Sequence, residues 1–107
     1  KRGYIMNIGD YVYVYLFDLD KSLKNMSKLR EDRFGKIINI HEMKDLNRNE
    51  IVKVYDIELL NKKVITYHSN NLSTSIVSIS DLVSIIDSAD IDQDKKRLLL
   101  DQLNDIL

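Results

Sequence analysis

Gly9-Asp10-Tyr11-Val12-Tyr13-Val14-Tyr15-Leu16-Phe17 is the stretch whose reading decides the fold. β-Branched and aromatic residues alternate here with a period of two behind a turn-forming glycine, the pattern of a strand. Alternation sends Val12, Val14 and Leu16 to one face and Tyr11, Tyr13 and Tyr15 to the other. The first set predicts a core face. The second has two readings. Tyrosines offer large contact area at low entropic cost, so the three rings read as a protein-recognition face. Alternatively, an apolar helix packs over them and makes a second small core.

Downstream, the same logic predicts four more strands. Phe34-Gly35-Lys36-Ile37-Ile38-Asn39-Ile40-His41 is the second, followed by a polar stretch from His41 to Glu50 with its turn at Asn47-Arg48-Asn49. Ile51 to Leu59 is the third, with Val52 and Val54 alternating against Tyr55, Ile57 and Leu59. Leu60-Asn61-Lys62-Lys63 turns the chain into a fourth, Val64 to His68. Beyond a polar loop, Ile76–Ile79 and Val83–Ile86 predict a last strand broken by one helical turn around Ser80-Asp81. Asp18 to Arg33 reads either as a long hairpin loop or as a short helix. The helix would present Leu23, Met26, Leu29 and Arg30, capped by Asp20 or Ser22.

The end of the sequence changes period. Asp90-Ile91-Asp92-Gln93 has the form of a capping box, and Asp92 and Asp94 suit the positive end of a helix dipole. Leu99, Leu100, Leu103, Ile106 and Leu107 share one stripe, which predicts a helix over about 91–106. Closing the β-structure is the ordinary task of such a stripe; dimerisation or docking through Leu99, Leu103 and Ile106 is the alternative. The expected organisation is an extension over 1–7, a mainly β unit over 8–88 and a C-terminal helix over 89–107. Met6 is a candidate natural start.

Three segments in order carry a resemblance: Gly9-Asp10-Tyr11-Val12-Tyr13-Val14, Arg33-Phe34-Gly35-Lys36-Ile37-Ile38-Asn39-Ile40, and Val52-Lys53-Val54-Tyr55-Asp56-Ile57. Together they resemble the Src-homology-3-like group of small barrels, which includes KOW and Tudor domains. The resemblance covers roughly residues 8–86 and implies a five-stranded barrel; it selects no function. Groove tryptophan and proline, typical of the group's proline-peptide binders, are absent. The few aromatics do not make a Tudor-type cage, and a KOW-type binder would usually be more basic.

Composition removes whole classes of chemistry. With no cysteine there is no disulfide, thiolate metal site or cysteine nucleophile. Three glycines cannot build a phosphate-cradling loop. His41 and His68 lack metalloprotease spacing; flanked by Glu42, Asp45, Asp56 and Glu58, they meet a metal only by accident of folding. Nine serines come without a nucleophile elbow. No apolar run approaches the twenty residues of a membrane span, and no leader opens the sequence. The expectation is a non-enzymatic cytoplasmic protein with no cofactor, metal or membrane partner. At 107 residues and 44% hydrophobic it has the size and composition of one folded domain. Fourteen isoleucines, eleven lysines and nine asparagines against one alanine and no proline suggest a low-GC genome, a bacterium or its phage.

Net charge is −1, yet its distribution is uneven. Lys21, Lys24, Lys28, Arg30, Arg33 and Lys36 face only Glu31 and Asp32 within their segment. Beside tyrosines able to stack bases, this segment is the argument for a KOW-like nucleic-acid binder; a solvated loop is the plainer reading. Three expectations thus stand: a protein-interaction module, a nucleic-acid binder, or an oligomeric subunit assembled through its helix.

Overall fold

The computed structural model describes residues 6–16 and 18–106. Phe17, Leu107 and most of the expected 1–7 extension lie outside them. Five strands and three helices follow one another: β1 (Tyr11–Leu16), α1 (Leu19–Asn25), β2 (Phe34–Asp45), β3 (Glu50–Leu59), β4 (Val64–His68), β5 (Thr74–Ser78), α2 (Ile79–Ser88) and α3 (Gln93–Ile106). A single 3-10 turn, Glu31–Arg33, precedes β2. Five antiparallel strands and a C-terminal helix are present as the sequence predicts, and α1 and α2 make the fold a mixed one.

All strand pairs are antiparallel, in the order β4-β3-β2-β1-β5. Among the described residues β4 and β5 are not hydrogen-bonded to each other, so the sheet is open rather than a closed barrel. It nonetheless curls. Tyr67 of β4 and Ile76 of β5 both pack on one cluster with Val12, Val14, Ile37, Tyr55, Ile57 and Leu59.

The opposite face of β1 is buried too. Tyr13 and Phe34, with ring centroids 4.7 Å apart, join Leu19, Leu23, Leu29, Leu82, Ile86, Leu99 and Leu103 in a second core under the helices. β1 therefore has apolar packing on both sides, which explains why Val12, Tyr13 and Val14 are all buried. Gly35 sits where β2 meets β3. A Cβ there would lie 2.6 Å from Ile57 Cγ2 and 2.8 Å from the Glu58 carbonyl oxygen, so only glycine fits.

Local chemistry shifts several element boundaries from their sequence expectations. Asp18 caps α1, accepting from the Lys21 amide, in place of Asp20 or Ser22; the helix ends before Leu29. Asp92 caps α3, accepting from the Lys95 amide at 2.8 Å, so this helix starts two residues later than expected. Residues 79–88 are helix rather than broken strand, because the Ser78 hydroxyl accepts the Asp81 amide and starts α2 inside the expected β unit. β2 runs on to Asp45 through residues read as a polar loop.

Candidate functional site

The three tyrosines do not share an exposed face. Tyr13 is 3% exposed and its hydroxyl accepts from the Arg30 amide at 3.4 Å. Burial pushes its phenol above the ordinary tyrosine range. Tyr15 is half-buried against the same core, and only Tyr11 is open. The three-ring recognition face is thereby corrected. Helices cover it, since the chain has more apolar residues than one sheet face can bury. Tyr11 instead lines a groove of about 510 Å³ with Asp10, Leu60, Ser78, Ser80 and Ile106.

Leu99 and Leu103 are 0% and 3% exposed, and Ile106 packs partly on the same core. The helix stripe is spent within its own chain. Of the two readings of the stripe, packing on its own chain is the one seen at Leu99 and Leu103, whose side chains are enclosed.

The basic segment is similarly divided. Arg30 is held bidentately by Asp32, at 3.1 Å from Nε and 2.7 Å from the terminal nitrogen. The same pairing keeps the Asp32 carboxyl below the usual carboxylate range. Lys24 lies 4.0 Å from Asp90, and Lys36 sits in β2 opposite Glu58. Lys21 and Lys28 are exposed. Arg30 and Arg33 line a small cleft of about 170 Å³ with Tyr13, Tyr15 and Met26. Six cations close in sequence are thus spread over α1, the irregular segment after it, the 3-10 turn and β2.

His41, Val54 and His68 form one row across β2, β3 and β4. His41 approaches Asp56 at 3.7 Å, and Thr66 donates to the other oxygen of that carboxylate. Among the described residues no group of three or more acidic or histidine side chains is placed to hold a metal ion.

Sequence reasoning missed an exposed apolar surface at the end of β2 and the start of β3. β1 pairs with β2 only as far as Lys36 and β4 reaches β3 only as far as Val54, so both strands continue as a two-stranded ribbon. At about 3.4 Å per residue β2 alone spans roughly 40 Å, most of the 47 Å long dimension. Near its tip Met43, Leu46 and Ile51 are 49%, 81% and 68% exposed. Met43 and Leu46 line a groove of about 470 Å³ with Val52, His68 and Asn70. Ile51, opposite Lys44, points to the other side of the ribbon. The turn itself is well built: the Asp45 carboxylate accepts from the Asn47 and Arg48 amides and from the Asn70 side chain, and Asn49 takes the left-handed φ of 52°. A braced tip with greasy side chains in water is a surface for contact.

No family model, curated protein or solved structure matches the chain. No described helix is long and apolar enough to cross a membrane.

Proposed function

We propose that this chain is a non-enzymatic protein-interaction module that receives its partner on the groove of the β2–β3 ribbon. One observation carries the reading: Met43 and Leu46 stay in water together on one groove, outside the two cores that enclose the buried strand and helix side chains. Apolar side chains set among polar neighbours such as His68, Asn70 and Lys44 match the make-up of a protein-binding patch, apolar at its centre and polar at its rim.

The strand order and the curl that brings β4 and β5 onto one core support placing the fold in the Src-homology-3-like group, with an unpaired seam between these strands. In that reading the excursion after β1 is filled by α1 and docked on the helices, which leaves the β2–β3 ribbon as the element projecting toward a partner. The composition supports a cytoplasmic accessory protein of a low-GC bacterium or its phage. The nucleic-acid reading draws less support, since Asp32 neutralises Arg30 and Tyr13 has no free ring face.

A photo-crosslinking residue at Leu46 tests the proposal. In lysate it should give a discrete protein adduct that survives nuclease treatment, while the same residue at the exposed Leu98 of α3 should not. Equal labelling from both positions, or an adduct lost with nuclease, would remove the reading.

A further inference from the structure

Among the described residues the ribbon has an open edge as well as a groove. Beyond Ile38, where the pairing with β3 shifts register, no described backbone group bonds to the outer side of β2. Which groups face outward follows from β3. The Lys53 amide donates to Ser69 Oγ at 3.1 Å, and the Lys53 carbonyl accepts from the Ser69 amide at 2.9 Å. Both groups of Lys53 therefore point away from β2. Its partner across the ladder, Glu42, must then point its own N–H and C=O away from β3. Lys44, two residues on, does the same.

We propose that this edge pairs with itself in a second copy of the chain, antiparallel, with the two-fold axis at Met43. Directly opposed residues in an antiparallel ladder face the same way, so a strand meeting its own copy has only alternate registers available. Centring on Glu42 sets carboxylate against carboxylate. Centring on Lys44 sets ammonium against ammonium. Centring on Met43 sets Glu42 of each copy opposite Lys44 of the other, and all four outward amide and carbonyl pairs of these residues find partners. His41-Glu42-Met43-Lys44-Asp45 thus has the charge order that a two-fold requires, and no proline or buried charge blocks the edge. Met43 meets its own copy on the face that carries Val52, so dimerisation would set the two grooves side by side.

The proposal rests on the edge and not on the groove finding a partner, so purified chain alone tests it. Sedimentation velocity over concentrations on the order of 10 μM to 1 mM, the range of a small interface, should show a reversible dimer. Glu42→Lys and Lys44→Glu, each checked for a native circular dichroism spectrum, should each weaken it about tenfold or more, because like charges then oppose one another. Mixing the two variants should produce a heterodimer. The double swap E42K/K44E, whose net charge equals that of the original, should dimerise again by itself. A chain that is monomeric at about 1 mM overturns the proposal, as does a dimer indifferent to the single changes or a double swap that stays monomeric.

Discussion

The Gln102 carboxamide holds Leu29 by both of its backbone groups: Oε1 accepts the Leu29 amide at 2.6 Å and Nε2 donates to the Leu29 carbonyl at 2.7 Å. Leu29 is fully buried and belongs to neither a helix nor a strand, so these two bonds are what its backbone receives in place of a ladder. Gln102→Met keeps the length of the side chain and removes both partners. It should cost roughly 1–3 kcal/mol, the penalty of leaving a buried amide or carbonyl unmet, read as a lower midpoint in urea with an unchanged slope. A midpoint equal to that of the unaltered chain would mean that water replaces the amide without loss.

Alkaline pH should unfold the protein through its phenols. Burial raises Tyr13, and burial together with Tyr15 and Tyr55 raises Tyr67. Both favour the neutral ring in the folded state, so their contribution is intact below the unfolded value of about 10 and is lost as pH climbs through the folded values. Tyrosinate absorbance should show a late component that coincides with loss of structure, and Tyr13→Phe should diminish it. A complete titration near pH 10 with the fold retained would contradict the burial of Tyr13.

Leu103→Ala opens a cavity beneath α3 and should cost about 2–5 kcal/mol. Because the stripe packs inside one chain, the loss should be the same at two protein concentrations a hundredfold apart, whatever the β2 edge does. A loss that grows on dilution would return α3 to the role of an interface.

Gly35→Ala presses a methyl group against Ile57 and the Glu58 carbonyl, and a backbone carbonyl cannot swing aside. Overpacking of this sort costs typically 1–3 kcal/mol. Thermal unfolding should show it, and hydrogen exchange should quicken first along the β2–β3 pairing around Ile37 and Ile57. An unshifted melting temperature would place the two strands farther apart than they are here.

How much of this was readable beforehand depends on how local each signal is. β1, β3, β4 and the α3 stripe were legible because period-two and helical patterns lie within a few residues of one another. The 79–88 helix was missed: Ile79, Leu82, Ile85 and Ile86 have helical spacing, yet the β-branched isoleucines and Val83 favoured strand, and the decisive Ser78 hydroxyl is one weak local bond. The distal half of β2 was missed because a ribbon with water on both faces needs no apolar alternation. Long-range contacts left no trace at all. Lys95 donates to the Lys24 carbonyl and Lys96 to the Asp87 carbonyl, so neighbouring lysines of α3 finish the last turns of α1 and α2. In a lysine-rich sequence nothing marks those two. Of the candidate site, the tyrosines and the basic segment were visible as residue types, but only the packing of the helices decides that Tyr13 is interior.

β1 is packed on both faces, and part of its packing is made long after it. Tyr13 contributes to a core completed by Leu99 and Leu103, and Val14 is paired with Ile76. At roughly 5–20 residues per second a ribosome needs on the order of 5–20 s to make that interval. Through that time β1 has β2 along one edge and Leu19, Leu23 and Phe34 against Tyr13, while the edge that β5 will pair stays open. The order of synthesis therefore leaves one edge of β1 free to pair wrongly until β5 is made.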